Sequence, residues 1–177
     1  MEGCHPKPLE TTTGVLDPPL GRVRQAMIEL IQAAVQTKID FVLDTVESSG
    51  LLSVLIDFFF QFKWNNFLHQ SVFAIFSSML QSPNEKFVLR ILENCHLVDR
   101  ILQEEAENKT VYEKTNVAFG FIAFLTKISL LIDGLASKHA SVGGYLHSHP
   151  DWHNYVNDFV NPRAELVTWN FQKPDQK

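Results

Sequence analysis

One stretch of the chain repeats itself, and the repetition limits the folds open to it more than any other feature. FVLDTVESSGLLSVLI (Phe41 to Ile56) lies without a gap over FVLRILENCHLVDRIL (Phe87 to Leu102), 46 residues further on. Phe41 falls on Phe87, Val42 on Val88, Glu47 on Glu93, Leu51 on Leu97 and Leu55 on Ile101. The same offset sets Met27 over Phe73, Leu30 over Phe76 and Ala34 over Leu80. Units of two or three helices at a period of about 40–47 residues are the mark of HEAT and armadillo solenoids. One such unit cannot cover its own apolar face, so copies must stack. The predicted fold is all-α, a HEAT/armadillo-like helical-repeat solenoid of about seven to nine helices. A third copy would begin near Val117, although its later helices match poorly.

Local signals agree with this. Val23, Met27, Leu30, Ile31 and Ala34 recur at helical spacing behind Asp17-Pro18-Pro19, with Asp17 read as the cap. Ser82-Pro83-Asn84-Glu85 reads as a capping box, with Ser82 the cap and Glu85 its reciprocal partner. Val117 to Leu135 carries one apolar face over five turns, and Trp152, Tyr155, Val156 and Phe159 mark a last helix. No alternating strand pattern of useful length occurs. Residues 1–16, with two Pro and three Thr and no apolar period, read as a disordered tail; 17–160 form the repeat domain and 161–177 a C-terminal tail.

Composition removes several function classes. A net charge of −5 gives no overall drive toward nucleic acid or anionic lipid. Two cysteines are too few for a disulfide framework. No stretch approaches the roughly 20 apolar residues of a membrane span, and the first residues lack a secretory pattern. These readings place the chain in the cytoplasm and admit the nucleus as well. Asn108-Lys109-Thr110 spells a glycosylation sequon, read as a chance match in that setting.

Candidate chemistry is sparse. His147-Ser148-His149-Pro150 resembles the His-x-His-Pro element of the JAMM zinc isopeptidases. That pattern also needs a Ser three residues before its Asp, whereas Tyr155 precedes Asp158 here, and its fold needs strands. His149 and His153 share a helical face at i, i+4, so a His-based metal hydrolase on His147, His149 and His153 stands as the minor alternative. Cys95-His96 falls in a turn where the first copy has Ser49-Gly50, which favours a structural thiol over a nucleophile. Glu104-Glu105-Ala106-Glu107 reads as a solvated acidic face. No catalytic residue, metal or cofactor is assigned, and the chain is read as a non-enzyme.

Phe58 to His69 (FFFQFKWNNFLH) is the densest aromatic segment. Its Phe residues read mostly as core, with Asn65 or Asn66 capping the helix that follows. A large aromatic at an inter-helix corner also suits a partner anchor. Trp64, Asn65, Asn66 and His69 are therefore the candidate partner-binding residues, with His69 or an exposed Asn favoured over Trp64 as the contact.

This segment, together with Pro18-Pro19-Leu20-Gly21-Arg22-Val23-Arg24, Gly50-Leu51-Leu52, Leu97-Val98-Asp99-Arg100-Ile101-Leu102 and Leu125-Thr126-Lys127-Ile128, resembles the SAPS domain over residues 18–160. Proteins of that family are regulatory subunits of the type 6 (Sit-type) serine/threonine protein phosphatase. Their helical domain is longer, so the resemblance is to part of it. It implies a non-catalytic scaffold that binds a phosphatase 6-type catalytic subunit and modulates or targets it, with ankyrin-repeat regulatory subunits as further partners. A generic armadillo-like protein–protein adaptor is the other scaffold reading.

Overall fold

The computed structural model describes residues 8–11, 14–16 and 19–168. Among the described residues ten α-helices follow a pair of short strands: α1 Arg22–Gln36, α2 Asp40–Ser48, α3 Leu51–Gln61, α4 Asn66–Leu80, α5 Glu85–Asn94, α6 Leu97–Thr115, α7 Ile122–Ala136, α8 Ala140–His147, α9 Pro150–Tyr155 and α10 Asn161–Thr168. A π-helical turn, Val156–Val160, joins α9 to α10 without a break, so these three form a single ninth rod. None of the described helices is long and apolar enough to cross a membrane.

The helices fall into three units of three. α1 packs on α4 and α4 on α7, while α5 packs on α8 and α6 on α9. This is the stacking the 46-residue period requires. The two copies also share a backbone device. Gly50, between α2 and α3, and His96, between α5 and α6, are both left-handed, at φ 75° and 47°. Such a residue ends one helix and turns the chain into the next. Glycine adopts it without strain, whereas a histidine is held in a costly conformation. The third unit, only faintly legible in the sequence, is α7, α8 and the ninth rod.

The core is one contiguous cluster from Leu20 to Val160. Its centre is aromatic: Phe59 and Phe60 of α3, His69 of α4 and Phe121 before α7 meet with ring centroids 4.9–5.9 Å apart. Edge-on geometry dominates, as the ring quadrupoles favour.

The two ends of the stack differ. α10 packs on α7 at the C-terminal end. At the other end α1 exposes Val23, Met27 and Leu30, the apolar face that the spacing places there. Phe41 of α2 is 78% exposed although its repeat equivalent Phe87 is 3% exposed. Arg90, lying over the Phe87 ring, reaches Glu47 of α2. The Phe87–Arg90 face thus meets the preceding unit, and the matching face of α2 meets none among the described residues.

Four sequence expectations need correction. Residues 9–11 and 14–16 pair as two three-residue antiparallel strands within the stretch expected to be a disordered tail. Asp17 lies outside the described residues, and the N-cap position of α1 is Gly21. The capping box is displaced: Asn84 accepts from Phe87 N–H, Ser82 accepts from Asn84 N–H, and Glu85 accepts from the Ser141 N–H of α8. A reciprocal pair was expected within one helix; the carboxylate instead ties α5 to the next unit, and this bonding holds Glu85 below its usual carboxylate pKa.

The fourth correction concerns the C-terminal tail, expected from residue 161. Helix continues to Thr168, and Arg163 of α10 grips Glu105 of α6 at 2.7 and 2.9 Å. Pro162 explains the π turn just before it. A proline has no N–H to give the carbonyl four residues back, and its ring crowds that carbonyl. Widening the preceding turn, where Asn161 N–H bonds to Val156 O, relieves the clash and keeps the rod going.

Candidate partner-binding corner

The turn between α3 and α4 is built by three interactions. Asn65 caps α4, its Oδ1 accepting from Leu68 N–H at 3.0 Å, as the sequence suggested for one of the two Asn. Trp64 is half-buried, edge-on to Phe119 at 6.3 Å. Lys63 lies 4.0 Å from the Phe119 ring centroid and pairs with Glu107. The α6–α7 connection therefore lies across the turn. Gly120 permits that approach, since a Cβ there would sit 2.9 Å from the Lys63 carbonyl oxygen. Asn108 fixes the connection from below, its Oδ1 accepting from Phe119 N–H at 2.9 Å. The sequon asparagine is thus buried and engaged.

His69 is fully buried, which removes it as an exposed contact. Its Nε2–H donates to the Phe59 carbonyl at 3.1 Å, and its ring packs among Phe59, Phe121 and Phe124. Burial lowers its pKa from 6.5 to about 4, against the opposing pull of backbone carbonyls. His69 is a neutral core side chain at neutral pH. What the corner shows to solvent is Asn66 and Phe67, the latter 77% exposed. Phe67 was grouped with core Phe residues in the sequence reading. The usable signal was helical phase: Leu68, Val72, Ile75 and Met79 define the buried face, and Phe67 falls beside it.

The remaining sequence candidates are engaged locally. His147 Nδ1–H donates to the Gly143 carbonyl, His149 Nδ1–H to the Tyr145 carbonyl, and Asn157 donates to His153 Nε2. His149 Nε2 faces Asp99 at 3.4 Å. Among the described residues no three His, Cys, Asp or Glu side chains are grouped as a metal site. Cys95 is buried, and burial pushes its thiol pKa up, the reverse of what a thiolate nucleophile needs. The acidic run was misread as a solvated face. Glu105 is 3% exposed and clamped by Arg163 and Asn108, while Glu107 binds Lys63. Burial also raises the Glu104 pKa. The signal was available as phase, since Ile101, Glu105 and Asn108 lie on one helical face.

A family model described as SIT4 phosphatase-associated protein, SAPS, matches residues 40–167. That range covers α2 to α10 and includes the corner. The chain is 30% identical over 137 residues to serine/threonine-protein phosphatase 6 regulatory subunit 3-A of Xenopus laevis, covering 68% of this chain and 16% of that relative. It is 31% identical over 135 residues to serine/threonine-protein phosphatase 6 regulatory subunit 1 of Mus musculus, covering 70% and 16%. SIT4-associating protein SAP190 of Saccharomyces cerevisiae is 28% identical over 89 residues, covering 48% and 9%. The aligned part is thus a small fraction of each relative's length. No solved structure matches the chain.

Proposed function

The chain belongs to the SAPS family, and from that membership we propose that it is a non-catalytic regulatory or scaffold element that binds a type 6 serine/threonine phosphatase catalytic subunit. The observation that carries the reading is the family match over 40–167, which runs through all three stacked units. Relatives in that match are named regulatory subunits or SIT4-associating proteins. A role in binding also suits the titratable groups. His69 and Cys95 are held neutral by burial, and Tyr155, hydrogen-bonded to Ser129 at 3.0 Å, has its pKa raised by burial. Metals and reacting groups would then belong to the phosphatase, with this chain modulating or targeting it in the cytoplasm or nucleus. Ankyrin-repeat regulatory subunits are the further partners in this reading.

The test is capture of a purified type 6 catalytic subunit on immobilised chain. Retention above a type 1 catalytic subunit control is the expected result. Equal retention of both, or of neither, would refute the proposal and leave a general helical-repeat adaptor.

A further inference from the structure

A second surface lies at the other end of α4. Phe73 midway along α4, the α4–α5 connection and one side of α7 enclose an open groove of about 890 Å³. Its apolar wall is Phe73, Leu130, Leu131 and Leu135, and its cationic groups are Lys127 and Lys138. No carboxylate lines it, although the chain has 20 acidic against 15 basic residues.

Neither lysine has a carboxylate partner among the described residues. The ion pairs among the described residues engage Lys63, Arg90, Arg100, His149 and Arg163, and neither groove lysine. The Lys127 ammonium instead lies 5.8 and 5.7 Å from the ring centroids of Phe73 and Phe124. Ring faces hold a cation without neutralising it. Lys138 stands just beyond α7, where exposed carbonyls could have taken its charge. Two of them are met from the chain itself: Lys138 N–H and His139 N–H bond to Leu135 O, and Ser137 Oγ bonds to Gly134 O. The groove is therefore an apolar trough rimmed by uncompensated positive charge.

We propose that this groove binds an acidic linear segment of a partner protein, one large apolar side chain seated on Leu131 and Phe73 and flanking carboxylates on Lys127 and Lys138. Charge complementarity selects the occupant. A purely apolar helix would bury two unpaired ammonium groups, which is costly. A basic segment would be repelled, and a long acidic tract without an apolar side chain would leave the trough empty. Open access from solvent suits an extended or single-turn segment rather than an enclosed small ligand.

The test uses the whole chain and a fluorescein-labelled twelve-residue peptide with Glu and Asp flanking a Phe-Leu pair. Its comparators are a peptide with Lys for every acid and one with Gly for Phe-Leu. In an anisotropy titration at low salt, the acidic-apolar peptide should bind at least roughly tenfold more tightly than either comparator, and weaken as salt rises. Lys127→Glu and Lys138→Glu should each cost about fivefold or more in affinity. Lys114→Glu, in the last turn of α6 and outside the groove lining, should cost less than roughly twofold. Lys138 is exposed, so its variant reports on the groove even if the partly buried Lys127 change disturbs folding. Equal binding of the three peptides, indifference to Lys138→Glu, or an equal effect of Lys114→Glu would each overturn the proposal. So would binding of anionic vesicles with no peptide binding. Phosphatase capture does not enter this readout, so failure here and failure of the phosphatase reading are separable.

Discussion

Arg163 is the sharpest place to challenge the view that the C-terminal rod is part of the fold. Its guanidinium holds both oxygens of Glu105 at 2.7 and 2.9 Å, and the Glu105 side chain is 4% exposed. Arg163→Met removes the counter-charge and two charge-assisted hydrogen bonds. What remains to Glu105 is a long contact with Asn108 Nδ2 at 3.4 Å. Removing one partner of a buried pair costs about 3–5 kcal/mol, mostly as the uncompensated charge. The Arg163 side chain is 27% exposed, so water can reach the vacated site and the low end, about 3 kcal/mol, applies. For a chain of this length that is a fall of roughly 6–12 °C in melting temperature. Arg163→Lys keeps the charge but loses the bidentate fork, so it should fall between wild type and Arg163→Met. The double variant Glu105→Gln, Arg163→Met buries no charge and should recover all but about 1 kcal/mol. Urea melts followed by circular dichroism measure all three. If Arg163→Met costs less than about 0.5 kcal/mol, residues from 161 onward act as the tail the sequence suggested. If the double variant is as damaged as the single, buried charge is the wrong cause.

His69 should make the chain acid-sensitive. Its folded pKa, about 4, lies below 6.5, so the unfolded chain takes up a proton first and stability falls as pH drops from 6.5 toward 4, by about 3 kcal/mol in all; His69→Phe should flatten that part of a pH-stability curve, and an unchanged slope would refute it. His96→Gly, which restores the residue of the first repeat at a left-handed turn, should stabilise by about 1 kcal/mol in a urea melt, and destabilisation would mean the side chain matters more than the backbone. Gly120→Ala should destabilise by at least about 1 kcal/mol in the same assay, because its Cβ meets the Lys63 carbonyl. The exposed Val23, Met27 and Leu30 of α1 should bind a hydrophobic dye, and the triple change to Glu should abolish the signal while the melting temperature holds.

Periodicity made the repeat architecture readable, because apolar residue types recur at one period through α2 to α3 and α5 to α6, even where burial differs, as between Phe41 and Phe87. It failed for the third unit, where the helices no longer answer to an identical environment. α8 is short, and α9 runs through a π turn into α10 instead of closing like α3 and α6. Polar residues were the weakest point. Asn65 and Asn84 act within their own helices and were readable as caps or near-caps. Glu85, Glu105 and Asn108 act across units, at partners 56, 58 and 11 residues away, and local spacing holds no trace of those partners. His69 shows the same limit from the other side: a histidine beside two capping amides looked like part of a polar corner, yet its helical phase put it among phenylalanines.

The two exposed surfaces of α4 constrain how any partner can engage. Asn66 and Phe67 are in its first turn, and the groove runs from Phe73, midway along the helix, to Gln81 just past its end. Six residues of α-helix set Phe73 roughly 9 Å along the axis from Phe67 and about 120° round it. The two side chains thus point to different sides of α4, so one short peptide lying straight along the helix does not fill both. A globular partner burying about 800 Å² on its side covers a patch some 30 Å across and can reach both at once. Phosphatase binding through both surfaces would therefore show partial losses in Phe67→Ala and in Lys138→Glu that add in the double variant, as separated sites in one interface do. Loss confined to Phe67→Ala, with Lys138→Glu affecting only the acidic peptide, would assign the corner to the phosphatase and the groove to a different partner.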